Sequence, residues 1–84
     1  MALFEDVREV LVVQLGVKPE MVKLDSKVSD DLGADSLDAI ELAATLEEKF
    51  GISIPEDEAK QIATVADVVG LVEQKLQTKS SPQR

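Results

Sequence analysis

Apolar residues recur at the spacing of an α-helix in four stretches of the chain, and turn-forming residues separate these stretches. The pattern predicts helices at residues 3–15, 36–50, about 56–62 and about 64–76. Gly16 and Gly51 end the first two helices, and a proline follows shortly after each glycine. We therefore predict an all-α fold, a small four-helix bundle with a long loop between helices one and two and a short third helix.

Two pairs of residues carry the sequence signature of a capping box. In this motif the residue just before the helix and the residue three positions later each accept a hydrogen bond, through the side chain, from the other's backbone N–H. Asp35 with Asp38 opens the second helix in this way, and Thr64 with Asp67 opens the fourth. The loop before the second helix is long for a small domain, and such loops are often functional. We expect five apolar loop residues to pack on the bundle: Met21, Val22, Leu24, Val28 and Leu32.

The second helix has two apolar faces when its residues are placed about 100° apart around the axis. The wider face is assigned to the core and consists of Ala39, Leu42, Ala43, Leu46 and Phe50. The narrower face consists of Leu37, Ile40 and Ala44, with Asp38, Glu41 and Glu48 on one side and Glu47 on the other. This narrower face either widens the core contact or forms an exposed apolar strip with an acidic rim, as is typical of docking surfaces.

The chain has 84 residues, which allows one small domain. We assign residues 1–76 to this domain and expect the polar residues 77–84 to form a disordered tail. The sequence contains neither Cys nor His, so it offers no thiolate nucleophile, no imidazole base and no metal ligand of either type. Its two aromatic residues are Phe4 and Phe50, so the core must be built mainly from aliphatic side chains.

The negative charge is concentrated in the middle of the chain. Residues 30–58 hold ten acidic residues against one base, Lys49, and the rest of the chain is nearly balanced, so this segment accounts for the formal charge of −8. Such a charge disfavours binding to nucleic acids and anionic membranes. The acidic segment is either a solvated face that keeps the domain soluble or a docking surface that steers basic partners. The longest aliphatic run, Val10–Val13, is too short for a membrane span, and the first 15 residues are too acidic for a signal peptide. We expect a cytoplasmic monomer.

Residue spacing disfavours two kinds of chemistry. No register of a calcium-binding loop around Gly33 combines a glycine at position six with an acid at position twelve. Ser36 has no His or Cys to activate it, so hydrolytic catalysis is not expected. A serine at a helix start most often belongs to the helix end itself, but Asp35 already supplies the cap and leaves the Ser36 hydroxyl free beside Leu37.

The stretch Asp31-Leu32-Gly33-Ala34-Asp35-Ser36-Leu37-Asp38 resembles the signature of acyl carrier proteins, specifically the free-standing type of dissociated fatty acid synthesis. Its Asp-Ser-Leu core matches the family's attachment motif, and the eight-residue string is far more specific than that core. The similarity continues through Leu46-Glu47-Glu48-Lys49-Phe50, Ile54-Pro55 and Ile62-Ala63-Thr64-Val65, and it covers about residues 3–76. The family fold is a four-helix bundle with a long first loop.

The resemblance implies that the chain is a carrier and not an enzyme. Ser36 would bear a covalent 4′-phosphopantetheine arm, installed from coenzyme A by a carrier-protein synthase, which is a phosphopantetheinyl transferase. The terminal thiol of the arm would hold acyl chains as thioesters, which fits a chain without cysteine. The resemblance also implies an acyl cleft between helices, lined by Leu42, Leu46, Ile54, Ala59 and Ile62.

The resemblance also assigns partner recognition to the second helix. The implied contact residues are Asp35, Leu37, Asp38, Ile40, Glu41, Ala44, Glu47 and Glu48. The implied partners are the synthase and the malonyl transferase, ketosynthase, ketoreductase, dehydratase, enoyl reductase and acyltransferases of fatty acid biosynthesis. Ala44 departs from the pattern, because many relatives have a larger apolar residue there. Three alternatives remain: a carrier for polyketide or other thioester assembly, an acidic interaction module with an unmodified Ser36, and a calcium sensor.

Overall fold

The structure is a computed structural model that describes residues 3–80, with side chains described up to Gln77. Its helices are α1 (Leu3–Leu15), α2 (Ser36–Phe50), α3 (Glu56–Ala59) and α4 (Val65–Ser80), and a single 3₁₀ turn lies at Pro19–Met21. Between residues 3 and 80 the only β-type pairing is an isolated bridge between Lys27 and Thr64. The predicted all-α fold with four helices, a long first loop and a short third helix is confirmed.

Two helix ends differ from the prediction. α3 stops at Ala59 and not near residue 62, because the N–H groups of Gln61 and Ile62 donate to carbonyls three residues back and tighten the chain into a turn. α4 continues past Leu76 to Ser80, since neither glycine nor proline occurs between Leu76 and Pro82. Residues 81–84 lie outside the described residues, so the predicted division into a domain and a polar tail stays a prediction.

Both predicted capping boxes are present. The Asp38 N–H donates to Asp35 Oδ1 over 2.9 Å, and the Asp35 N–H donates to Asp38 Oδ2 over 3.2 Å. At the start of α4, Asp67 Oδ2 accepts from the N–H groups of Thr64 and Ala63 over 3.0 Å each, and the Asp67 N–H donates to Thr64 Oγ1 over 3.2 Å. These contacts fix where the two longest helices begin.

The core lies between α1, α2 and α4 and is aliphatic. The largest fully buried side chains are Val7 and Leu11 of α1, Leu42 and Leu46 of α2, and Val65, Val68 and Val72 of α4. The short α3 packs on α2 and contributes one buried residue, Ala59. α3 is therefore held by far less buried surface than its neighbours.

Backbone hydrogen bonds hold the long loop against the residues that open α4. Val28 N–H donates to Ala63 O, Val65 N–H to Ser26 O and Ala66 N–H to Leu24 O, each over 2.9 Å. Of the five loop residues expected to pack on the bundle, Val22, Val28 and Leu32 are buried. The expectation is wrong for Met21 and Leu24, which are 43% and 51% exposed, because the chain is held there by its backbone.

No helix within residues 3–80 has the length and apolar character needed to cross a membrane.

Replacing Asp67 by alanine should lower the free energy of unfolding by about 1 kcal/mol, which lowers the Tm by about 4–8 °C, because two backbone N–H groups lose their acceptor. Hydrogen bonds from the backbone N–H groups of Thr64 and Ala63 hold the pKa of Asp67 below its usual value of 3.8. The higher free energy of unfolding of the wild type is therefore fully present above pH 3.8 and is lost as the pH falls through the lowered pKa of Asp67. Thermal unfolding of both proteins between pH 7 and pH 2 measures this convergence.

The matched control is Glu73→Ala, which removes an exposed acid from the same helix. A difference between wild type and Asp67→Ala that stays constant down to pH 2 would contradict the role of the ionised Asp67 carboxylate.

Candidate attachment and docking site

Ser36 is the first residue of α2, and its side chain is exposed. Asp35, and not Ser36, accepts the hydrogen bond that caps the helix. Among residues 3–80, the Ser36 hydroxyl has no hydrogen-bond partner. The hydroxyl is therefore available for reaction at the positively polarised end of a 15-residue helix.

The turn before Ser36 is built by the residues of the sequence signature. Gly33 has a φ of +77°, which side-chain-bearing residues rarely adopt, whereas an added Cβ there would contact nothing within 4 Å. The glycine is thus required by conformation and not by space. Asp31 Oδ2 accepts from the Lys27 N–H over 2.7 Å, and Ala34 N–H donates to Val28 O over 3.0 Å. Sequence reasoning did not find this structural role of Asp31, although an aspartate in a turn often accepts a local backbone hydrogen bond.

A cavity of about 420 Å³ opens beside Ser36, between the long loop, the start of α2 and the end of α3. Its apolar wall residues are Val28, Ala34, Ala39, Ala59 and Ile62. Its polar wall residues are Ser29, Asp35, Ser36 and Lys60. A group attached to Ser36 would therefore begin at the rim of a partly apolar cavity.

The structure places the five predicted cleft residues in two sets. Ala59 and Ile62 line the cavity beside Ser36. Leu42, Leu46 and Ile54 do not line it and are at most 5% exposed, because their side chains fill the core behind it. Sequence reasoning missed Val28 and Lys60, since no periodicity relates a loop residue or a helix end to this cavity.

The narrower apolar face of α2 projects away from the core. Leu37 is 62% exposed, Ala44 is exposed, and Ile40 is half-buried. Glu41 and Glu48 are exposed beside them. Of the two interpretations of this face, the exposed apolar strip with an acidic rim is the one that the structure shows. We call Leu37, Ile40, Ala44, Glu41 and Glu48 the α2 strip.

Two other acids of α2 have local partners. Asp38 is half-buried and completes the capping box. Glu47 is half-buried, and its Oε2 accepts a hydrogen bond from the Ile54 N–H over 2.6 Å, which ties the end of α2 to the segment before α3. The helical pattern gave no signal for this contact, because its partner is a backbone group outside the helix.

Within residues 3–80, no group of three or more potential ligand side chains could hold a metal ion. Three of the acidic residues around Gly33 accept hydrogen bonds from local backbone donors: Asp31 binds the Lys27 N–H, and Asp35 and Asp38 bind each other's N–H groups. Their carboxylates thus support the turn and the helix start.

The family model that describes the phosphopantetheine attachment site matches residues 5–72. An acyl carrier protein from Wolinella succinogenes is 60% identical over 73 residues, covering 87% of this chain and 96% of that protein. An acyl carrier protein from Chlamydia trachomatis is 52% identical over 75 residues, covering 89% of this chain and 97% of that protein.

Solved structures agree with these sequence relatives. The crystal structure of an acyl carrier protein from Thermotoga maritima superposes with a TM-score of 0.81 at 28% identity, covering 93% of this chain and 91% of that one. The solution structure of the 3,7-dioxo-octyl actinorhodin acyl carrier protein from Streptomyces coelicolor superposes with a TM-score of 0.80 at 32% identity, covering 92% and 93% of the two chains.

The family match spans most of the chain, and these relatives match it over nearly their whole length. The helical bundle and the exposed serine at the start of α2 agree with that match. The chain therefore belongs to the acyl carrier protein family, as a non-catalytic carrier whose prosthetic group is 4′-phosphopantetheine.

Proposed function

We propose that Ser36 is the attachment residue and that the chain carries growing fatty acyl chains for the cytoplasmic enzymes of fatty acid synthesis. One observation carries the assignment of Ser36: its hydroxyl is exposed and has no hydrogen-bond partner within residues 3–80, while Asp35 caps the helix. Modification of the Ser36 hydroxyl would therefore break no hydrogen bond of the helix cap.

The residues around Ser36 fit a phosphopantetheine arm. The arm supplies a thiol for thioester formation, which the sequence itself lacks. The start of α2 offers unpaired backbone N–H groups and a positive dipole, which favour a phosphate group there. The adjoining cavity of about 420 Å³ has apolar walls from Ala39, Ala59 and Ile62, and so offers apolar surface to whatever is attached.

The protein's own residues prepare Ser36 for modification. The Asp35–Asp38 capping box fixes the first turn of α2, so the Ser36 backbone is ordered before any enzyme binds. Gly33 and Asp31 hold the preceding turn. His and Cys are absent from the sequence, and the Asp35 and Asp38 carboxylates already accept backbone N–H groups. We therefore expect the base that removes the hydroxyl proton to come from the modifying enzyme.

An acyl chain longer than the cavity would have to enter the core. Leu42, Leu46 and Ile54 lie behind the cavity wall and become lining residues only when α3 moves away from α2. We expect this movement to cost little free energy, because α3 buries one side chain, that of Ala59, and is otherwise tied to α4 by the ion pair of Glu58 with Lys75. We therefore propose that Ala59 and Ile62 contact any acyl chain first, and that the three buried residues contact longer ones.

The α2 strip is the proposed docking surface for the synthase and for the malonyl transferase, ketosynthase, ketoreductase, dehydratase, enoyl reductase and acyltransferases. Its exposed acids attract basic partners at long range, and Leu37 supplies apolar contact at short range. Three further acids of the predicted docking surface belong to α2 or its cap: Asp35, Asp38 and Glu47. Their carboxylates already accept hydrogen bonds from backbone N–H groups. We expect them to contribute charge and not new hydrogen bonds.

Incubation with coenzyme A, magnesium and a carrier-protein synthase should add one phosphopantetheine to the wild type and none to Ser36→Ala. Intact-mass spectrometry measures the gain, and fragmentation of the product locates it. Ser29→Ala is the matched control, because Ser29 is an exposed serine of the same cavity and should leave the gain unchanged. A gain on Ser36→Ala would contradict the assignment.

Reversing the charge of Glu41 and Glu48 to lysine should slow association with a ketosynthase about tenfold at low salt, because both acids are exposed on the α2 strip. The salt dependence should flatten, and the rates should converge with wild type at about 1 M salt. Stopped-flow association over a range of ionic strength tests this. Reversal of Glu20 and Glu73, exposed acids outside α2, should have a much smaller effect. Equal rates for the two double variants would contradict docking on α2.

Leu37→Ala should weaken partner binding about tenfold while lowering the free energy of unfolding by less than about 0.5 kcal/mol, because the side chain is 62% exposed. Leu46→Ala, a buried leucine of the same helix, should instead cost about 2–5 kcal/mol of stability. Calorimetric titration and urea unfolding measure the two effects. If Leu37→Ala lowered the free energy of unfolding as much as Leu46→Ala, the assignment of Leu37 to the docking surface and not to the core would be contradicted.

A further inference from the structure

The cavity beside Ser36 has one basic residue among its described wall residues, Lys60. We propose that Lys60 is a positioning residue for the prosthetic group, with its ammonium pairing with the phosphodiester on Ser36 and holding the root of the arm over the cavity. This inference rests on the proposed attachment at Ser36.

Lys60 and Ser36 reach the same cavity from separate elements. Ser36 begins α2, and Lys60 is the residue that ends α3. The Lys60 backbone is fixed, because its N–H donates to the carbonyl of Glu56 at the end of the single α3 turn. Its side chain is a flexible four-carbon stem with three donors, so the ammonium can follow a phosphate at the cavity rim.

The present partner of Lys60 is weak. Its Nζ lies 3.4 Å from Glu56 Oε2, a longer contact than a well-formed charged hydrogen bond, and the two side chains are 59% and 62% exposed. Exposed pairs four residues apart on a helix are among the weakest ionic contacts in proteins. Lys60 can therefore leave Glu56 and pair with a phosphate at a small cost in free energy.

The local charge favours that exchange. Ser36 lies within the segment 30–58, which holds ten acids and only one base, Lys49. Lys49 lies in the last turn of α2 and lines a different groove, between α1 and α2. A phosphodiester adds a further negative charge beside Asp35 and Asp38, and Lys60 is the cation that shares its cavity.

The pairing would decide which way the arm leaves the protein. A phosphate held toward Lys60 directs the rest of the arm across Ala59 and Ile62, which are the apolar walls on that side. A phosphate released to solvent leaves the arm extended and free to enter a partner enzyme. Glu56 competes for the same ammonium and therefore opposes the inward direction.

The test compares wild type, Lys60→Met, Glu56→Gln and the matched control Lys49→Met, each converted to the modified form and checked by intact mass and fragmentation. The ³¹P resonance of the attached phosphodiester is then followed from low to high salt. In Lys60→Met the resonance should move to its high-salt position and lose its salt dependence, whereas Lys49→Met should match wild type. Glu56→Gln should shift the resonance in the opposite direction, because Lys60 loses its competing partner.

Thermal unfolding supplies a second readout. Attachment of the arm should raise the Tm of Lys60→Met by about 1–4 °C less than it raises the Tm of wild type. The variant lacks the exposed ion pair between Lys60 and the phosphodiester. The unmodified forms should unfold at similar temperatures, because the Lys60 side chain is exposed. Lys60→Gln repeats the test if the methionine variant is unstable.

The outcomes separate the two proposals. If no protein gains the arm at Ser36 with a synthase that modifies another carrier, the attachment proposal fails and the role of Lys60 fails with it. If all variants gain the arm and Lys60→Met keeps the wild-type resonance and salt dependence, only the role of Lys60 is overturned.

Discussion

The functional end of the molecule depends on backbone hydrogen bonds between the long first loop and the residues that open α4. Three of them join residues 24–28 to residues 63–66, each over 2.9 Å. They place the turn before Ser36 against the end of α3, although these parts lie more than twenty residues apart in the chain. Without them α2 would still have its cap, but Ser36 would have no cavity beside it, because Ala59 and Ile62 would no longer face it.

Local signals were sufficient to predict the four helices, apart from two helix ends, and the exposed face of α2. The two capping boxes were readable because both partners of each lie within three residues, and the α2 strip was readable because a helix repeats its faces. The contacts that escaped prediction involve backbone groups or residues distant in sequence. Glu47 binds the Ile54 N–H, and Leu24 contributes its carbonyl and not its side chain. Lys60 and Ser36 line the same cavity only after the chain has folded. Periodicity carries no information about any of these.

The acidic segment contains three kinds of carboxylate: those that accept backbone hydrogen bonds, those of Glu56 and Glu58 that pair with Lys60 and Lys75, and those that face solvent without a partner in the described residues. Asp31, Asp35, Asp38 and Glu47 accept backbone N–H groups, and each fixes a turn or a helix end. Glu41 and Glu48 are exposed and carry no such contact. A count of acids therefore overstates the charge that is free to rearrange around a partner. The backbone hydrogen bonds also explain how so many acids fit into one segment of a folded domain, since they stabilise several of the negative charges.

The single turn of α3 has a consequence for what the carrier distinguishes. One side of the space beside Ser36 is a long helix anchored by Leu42 and Leu46. The opposite side is a four-residue helix held by one buried side chain, that of Ala59, and by the ion pair of Glu58 with Lys75 of α4. If the acyl chain enters this space, one rigid side and one weakly held side would set no sharp upper limit on the chain length that fits. The decision that a chain is long enough would then fall to the enzymes that remove it.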